Sequence, residues 1–420
     1  MRGGCEEDAS RVGFPICSNL PCLHPPLTLI ISTCENFFST EIRKGCFRRY
    51  DFVLEKENKG RIVMAVSNDL LTDQRVDRHR RTLTEAGYDV VVLGRREVPT
   101  RHSRGWQFYY ELNRGLARAV TRQKPDIVWA NDTDTLLGCR IAARRCHARL
   151  VLDCHELFPE VPEIRHKPLV KWVWRTLERW LMPQCDALLT VCNSIAEHYR
   201  LQLGVSMTVV RNMNEELRMK NEELADASNN SSLFTLHSSL KVLLYQGKVN
   251  VGRGVDWAID ALEWLTDCRL VVAGDGDLLE EMKAYAAEKP WAERILFTGR
   301  LMPAELQKLT PQADVGLVML EDMGLSYRYA LPNRIGDFVH AGVPMVVSDL
   351  PEMSAVVKRY RVGEVMRAPG AQALAESVKR VLAADKGHYD FTAARRDMDW
   401  NKEKELLIKT ADKLCSTTSL

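Results

Sequence analysis

Two series of short apolar runs, with helical patterns between the runs, constrain this chain more than any other feature. The first series opens at Arg61 with RIVMAVS and continues with DVVVL at Asp89, DIVWA at Asp126, RLVLD at Arg149, ALLTV at Ala187 and TVVRN at Thr208. The second begins with KVLLYQ at Lys241 and runs through RLVVAG, ILFTG, DVGLVML and PMVVS to VGEVM at Val362. Continuous apolar runs separated by helices mark strands of a parallel sheet covered on both faces. The expectation is an α/β chain of two Rossmann-like, doubly wound halves in tandem, over residues 61–213 and 241–395.

The segments around these halves read differently. Residues 1–60 show no sustained period and are expected to be an irregular leader; residues 214–240 repeat NEEL and contain a polar Asn/Ser tract that cannot build a core, which fits a polar linker or loop. At 420 residues, two cores suit the length better than one.

Charge and composition remove several classes of function. The 58 Lys and Arg are nearly cancelled by 56 Asp and Glu, a formal +2 that argues against a nucleic-acid footprint. No apolar run approaches the roughly 20 residues that span a bilayer, and Glu6, Glu7 and Asp8 replace the basic start of a signal peptide. The 12 cysteines contain no CxxC pair, which suits reduced thiols in a cytosolic setting, and the group Cys17, Cys22, His24, Cys34 and Cys46 matches no zinc spacing. No metal and no cofactor are expected.

Neither half carries GxGxxG after its first strand, so a dinucleotide enzyme is disfavoured. After Gln246 the turn reads GKVNVGRG, with Gly247 and Lys248 at the strand end and Arg253 before the next helix. A departing diphosphate needs positive charge, and two cations supply it, each unit pair contributing roughly 4 kcal/mol at about 4 Å and an effective dielectric near 20 before desolvation. Ordinary solvated loop charges are the competing reading.

A second constellation is YRYALPNRIGDFVHAGVP, residues 327–344. Pro332 suits the first position of a helix whose N–H groups at Asn333 to Ile335 face an anion; Arg334 adds charge, Asp337 can accept from two vicinal hydroxyls of a ribose, and Gly342 ends the helix. With phosphates and ribose so assigned, the base falls to the loop after ILFTG, near Arg300 and Leu301.

Other motifs have local explanations. In AGDGDLLEE, Asp277 is expected to cap a helix with Glu280 closing a capping box, and in the DxD of Asp132 and Asp134 capping outweighs manganese binding. His155 and Glu156 follow a buried strand at the carboxyl edge where open sheets bind ligands; a site role and a structural role for His155 both stand. Residues 167–181 form an amphipathic pattern with Val170, Val173, Trp174, Leu177 and Leu181 on one face and Lys171, Arg175, Glu178 and Arg179 on another. Packing on its own domain is the first reading, and rest on an anionic membrane surface the second.

Together, VSNDLLTDQRV, LDCHELFPE, VVRN, YQGKVNVGRG, VAGDGD and ALPNRIGDFVHAGVP resemble the family 4 retaining glycosyltransferases of the GT-B fold, particularly bacterial members that build polysaccharides, over about Arg61 to Lys413. The resemblance implies a cleft with the donor nucleotide on the C-terminal half and the acceptor on the N-terminal half. It implies that Lys248 and Arg253 are the diphosphate pair, that His155 lies near the donor sugar, and that Asp73 to Arg75 face the same phosphates. It also implies that residues 396–420 hold a last helix returning to the first domain. The family's two glutamates, eight positions apart, fall here on Tyr329 and Asp337, so the first carboxylate is missing.

The expected activity is retaining, metal-independent transfer of a sugar from a nucleotide diphosphate sugar, UDP before GDP, to a saccharide or lipid-linked acceptor. Nothing in the sequence supplies the opposed carboxylates of an inverting mechanism. A cytoplasmic protein with peripheral contact at the inner face of the cytoplasmic membrane fits these partners. A nucleotide-sugar 2-epimerase of similar fold and a silent nucleotide-sugar-binding subunit are the alternatives.

Overall fold

The computed structural model describes residues 58–68, 73–213, 239–385 and 387–416. The expected leader lies outside these except for its last three residues, and the expected linker except for residues 239 and 240.

In the N-terminal half, β1 (Arg61–Ala65), β2 (Asp89–Leu93), β3 (Ile127–Asn131), β4 (Arg149–Cys154), β5 (Ala187–Thr190) and β6 (Thr208–Val209) alternate with α1 (Gln74–Glu85), α2 (Gly105–Arg122), α3 (Thr133–Cys146), α4 (Pro168–Leu181) and α5 (Asn193–Leu203). The strands are parallel in the order β2-β1-β3-β4-β5-β6. Every residue of IVWAN in β3 is buried, which is why its run carries no alternation.

The C-terminal half contains β7 (Lys241–Gln246), β8 (Cys268–Ala273), β9 (Ile295–Gly299), β10 (Val315–Val318), β11 (Met345–Val347) and β12 (Gly363–Val365). Between and after them come α6 (Val255–Ala261), α7 (Leu279–Ala287), α8 (Pro303–Leu309), α9 (Leu325–Arg328), α10 (Arg334–Ala341), α11 (Pro351–Tyr360) and α12 (Ala371–Ala383). Its order, β12-β11-β10-β7-β8-β9, is the dinucleotide-fold order, whereas the first sheet has the shorter flavodoxin-like start. Strand order reverses at β1/β3 in one sheet and at β7/β10 in the other, and ligands of such sheets bind beyond the carboxyl ends at these points.

The chain then passes through α13 (Thr392–Asp397) into α14 (Trp400–Ser416), which packs on the first half. Leu407, Ala411 and Leu414 join Ile62, Met64 and Trp129 in one core cluster. Each large apolar side chain so buried contributes about 1.5–3 kcal/mol. Trp400, fully buried, donates its indole N–H to Thr82 Oγ1 at 3.1 Å and stacks on His79 with ring centroids 5.5 Å apart. Arg211 adds an ion pair to Glu403. Residues 57–420 thus pack as one compact unit.

Three expectations about local structure are corrected. α7 begins at Leu279 with Leu278 as its N-cap and no side-chain cap; the Asp277 N–H instead donates to Asn250 Oδ1, and Glu280 pairs with Lys283. Asp132 sits at the N-cap of α3 without capping it, because its carboxylate turns to His155. In α4, Trp174, Glu178 and Leu181 are buried while Val170 and Val173 are exposed, so the expected faces are rotated.

Candidate active site

A cavity of about 360 Å³ opens between the halves. Asn68, Asp73, Arg75 and His155 line it from one side, and Arg253, Tyr327 and Asn333 from the other.

The N-terminal wall is built on Asp153, the last charged residue of the apolar run RLVLDC and completely buried. Arg75 grips it bidentately, Nε to Oδ2 at 3.0 Å and Nη2 to Oδ1 at 2.7 Å, and gives its remaining Nη1 to the Val210 carbonyl. Burial alone would raise the Asp153 pKa, yet the Arg75 guanidinium and the His155 ring hold it well below the usual carboxylate range. His79, also fully buried, is held neutral by desolvation and by Arg75.

His155 stands between two carboxylates, with Nδ1 3.1 Å from Asp132 and Nε2 3.3 Å from Asp153. Both ring nitrogens face carboxylate oxygens, an arrangement that favours the doubly protonated imidazolium. Burial opposes that charge, but Asp132 and Asp153 prevail and raise the pKa to about 10. The backbone N–H of His155 also donates to Asp132 Oδ1 at 2.7 Å. Asp132 reaches these positions from φ +63, ψ 162, a region that non-glycine residues rarely occupy and that costs on the order of 1–3 kcal/mol. Neighbouring Asp134 is buried beside the Asp132 charge, and its pKa rises to about 7.

On the C-terminal wall, Arg253 follows the glycine-rich turn and lies over the Tyr327 ring at 4.9 Å, its Nε buried without a hydrogen-bond partner among the described residues. Pro332 and Asn333, just ahead of α10, line the same cavity. The turn's shape depends on close backbone packing. A Cβ on Gly274 would stand 1.7 Å from the Gly247 carbonyl oxygen, and Gly247 itself has φ +135.

The remaining expected site residues stand behind or beside this wall. Lys248 pairs with Asp275 at 2.8 Å, and the charge of Arg300 acts on the same carboxylate. Leu301 packs against the core of this half. Arg334 is buried; its guanidinium lies over Tyr245 and donates to the Gln246 carbonyl at 2.8 Å, so it fixes the end of β7 rather than adding free charge to the cavity. Asp337 accepts from Gln246 Nε2 at 2.8 Å. Tyr329, where the family has a glutamate, packs against the core of the N-terminal half.

Sequence reasoning passed over three contributors. Asp153 was legible only as a charge ending an apolar run. Tyr327 and Ser326, which meet Arg253 and Glu156 respectively, come from a four-residue helix with no periodic signal. Ser326 Oγ lies 3.5 Å from Glu156 Oε2 and Ser194 N–H donates to Glu352 at 2.7 Å, so polar contacts cross the cleft. Among the described residues no group of three or more His, Cys, Asp or Glu is arranged to hold a metal, and no helix is long and apolar enough to cross a membrane. The seven described cysteines are free.

Comparison with known proteins agrees with this architecture. Residues 64–213 match the family description "Glycosyl transferase 4-like domain" and residues 240–384 match "Glycosyl transferases group 1". The chain is 27% identical over 241 residues to 2-deoxystreptamine glucosyltransferase of Streptomyces kanamyceticus, covering 55% of this chain and 59% of that protein. It is 24% identical over 148 residues to an uncharacterized glycosyltransferase of Methanocaldococcus jannaschii, covering 34% of this chain and 36% of that protein. The chain therefore spans between about a third and three fifths of the length of these curated relatives.

Among solved structures, Anabaena HepE in complex with UDP and glucose superposes with a TM-score of 0.65 at 14% identity, over 84% of this chain and all of that one. Sucrose-phosphate synthase of Thermosynechococcus elongatus gives a TM-score of 0.63 at 14% identity, over 86% of this chain and 97% of that one. With both halves matched in order and the two facing sheets of these structures reproduced, the chain belongs to the glycosyltransferases of the GT-B fold, a 4-like N-terminal half joined to a group 1 C-terminal half.

Proposed function

We propose that this glycosyltransferase uses a nucleotide diphosphate sugar as donor and transfers the sugar with retention to a saccharide or lipid-linked acceptor, in the synthesis of a polysaccharide or glycoconjugate. The observation that carries the reading is the Arg253 guanidinium, which faces the cavity over Tyr327 with a buried Nε that no described residue satisfies. A half-buried cation whose Nε has no partner among the described residues suits an anion, and a diphosphate that gains charge as its glycosidic bond breaks is held more tightly in the transition state than before it. Lys248 joins it by exchanging Asp275 for a phosphate oxygen. The acceptor hydroxyl attacks from the face the diphosphate leaves, and its proton passes to the departing phosphate. His155, its two N–H groups already held by carboxylates, contributes positive charge beside the sugar rather than a base.

UDP is the favoured nucleotide, a preference that finds support in Anabaena HepE having been solved with UDP and glucose. The test is a thermal-shift series with UDP, GDP, ADP and CMP. A nucleotide present at about a hundredfold its Kd adds roughly 2.7 kcal/mol to the folded state, so one diphosphate raises the melting point and CMP does not. No shift with any of the four, together with a shift by NAD, removes the reading. EDTA leaves turnover unchanged when cations carry the leaving charge; loss on chelation that manganese restores transfers that role to Asp132 and Asp134.

A further inference from the structure

Helices α2, α3 and α4 pack side by side on one face of the N-terminal sheet, and their outer surfaces are unlike the rest of the chain. In α4, Leu169, Trp172, Val173 and Trp180 recur at helical spacing on the side away from the buried Trp174, Glu178 and Leu181. Leu169 is 72% exposed, Trp172 63% and Trp180 60%. Single exposed apolar residues are ordinary, but a stripe with two tryptophans is not. On α2, Trp106 and Tyr110 are exposed as well, while between the helices the Tyr109 ring packs edge-on against the buried Trp174 at 4.9 Å and fixes α2 beside α4.

The charge on these helices is just as uneven. Each carries three lysine or arginine side chains, nine in all, in a chain whose net charge is +2. Of their three carboxylates, Asp134 and Glu178 are buried, and the third, Glu111, is paired with His102. Arg118, Arg144 and Arg179, one on each helix, are exposed.

We infer that this three-helix face docks on an anionic lipid bilayer, with the α4 tryptophans in the headgroup region and the arginines against lipid phosphates. Tryptophan prefers such an interface because its ring is apolar and its N–H polar, and each cation near an anionic surface adds attraction that salt screens. Nucleic acid fits less well, since the apolar stripe lies among the cations where a polyphosphate backbone would run. The location also suits the proposed reaction. Arg165, ahead of α4, and Lys171, in its first turn, line a second cavity of about 270 Å³ together with Gly324 and Leu325 of the other half, so docking brings the bilayer to the mouth of the cleft. That last point rests on the transferase reading; docking itself does not.

The test is sedimentation of the full chain with vesicles of phosphatidylcholine alone and of phosphatidylcholine mixed with phosphatidylglycerol. The protein is expected to sediment with the mixed vesicles, to stay in the supernatant when only plain ones are present, and to be released from the mixed vesicles as salt rises above about 0.1 M. Trp172→Ser with Trp180→Ser, and separately Arg118→Glu with Arg144→Glu and Arg179→Glu, each lower the partition at least about tenfold while the nucleotide-induced melting shift persists. Equal binding to both vesicle types, no binding, or binding indifferent to both variants overturns the inference. So does a dimer in light scattering that only the tryptophan variant abolishes, or an oligonucleotide that displaces the vesicles. Failure of the nucleotide shift alongside intact vesicle binding would leave docking standing and remove only the donor assignment.

Discussion

In the N-terminal half, the charged groups at the cavity lean on one another, whereas in the C-terminal half the groups that shape it lean on the backbone. Arg75, Asp153, His155 and Asp132 form a continuous chain of ion pairs, with Asp153 and Arg75 almost wholly buried. Across the cleft, Arg334 holds a strand-end carbonyl, Gly274 admits the Gly247 carbonyl, and the Arg253 guanidinium lies over an aromatic ring, its Nε without a partner among the described residues. One wall holds its charges in ion pairs; on the other, the proposed function leaves the Arg253 charge to be met by the donor's diphosphate. Preorganised charge lowers the reorganisation that accompanies reaction, while an unsatisfied cation gives binding its direction.

Removing a member of the ion-paired wall should have the largest effect. Asp153→Ala leaves the buried Arg75 and the half-buried His155 without their shared partner and is expected to cost about 3–5 kcal/mol in urea unfolding. A loss under about 1 kcal/mol, the size of an exposed pair, would mean that the network is not the support described. Arg253→Ala should act in the opposite way, lowering turnover by about a hundredfold or more with an unchanged melting point in the absence of nucleotide. Near-normal turnover would falsify its place at the diphosphate.

A smaller effect separates the walls by pH. The folded-state pKa of His155 is raised from 6.5 to about 10, so its stabilising contribution is full below about pH 6.5 and is lost as pH rises through about 10. The stability difference between the native chain and His155→Gln should therefore shrink over that interval. A difference that is flat from pH 6 to 10 would show a neutral ring. The smallest change is expected at Asp275→Ala, because the Lys248 side chain is 60% exposed and Asp275 39%, and such a pair contributes about 0–1 kcal/mol. A larger loss of stability would place Lys248 among the structural supports of its half.

The strands were legible in the sequence because burial on both faces writes itself as unbroken apolar runs, and all the expected runs became strands. His155 stood out because it directly follows β4, and Asp73 and Arg253 because they lie just ahead of the helices after β1 and β7; all three line the cavity. What could not be read was partnership. Arg75 and Asp153 are 78 positions apart, and nothing local distinguishes Asp132, which holds His155, from an ordinary cap. Arg334 was misjudged for the same reason: a helix N-terminus with an adjacent arginine suggests an anion site, but the carbonyl it serves lies on β7. Asp277 followed the capping pattern, yet Leu278 took the cap position and the loop was fixed by Asn250.

The return of α14 to the first half also bears on how the protein is made. The strands and helices of residues 61–213 are synthesised first, but the layer that covers Ile62, Met64 and Trp129 includes Leu407, Ala411 and Leu414, which emerge last. At a synthesis rate of roughly 5–20 residues per second, the interval is roughly 10–40 s. During it the His79 face of α1 waits for Trp400 with part of its core open to solvent. The half that is born first is the half that is finished last, and a chain cut short just before Trp400 would carry both sheets but lack the layer that closes the first half.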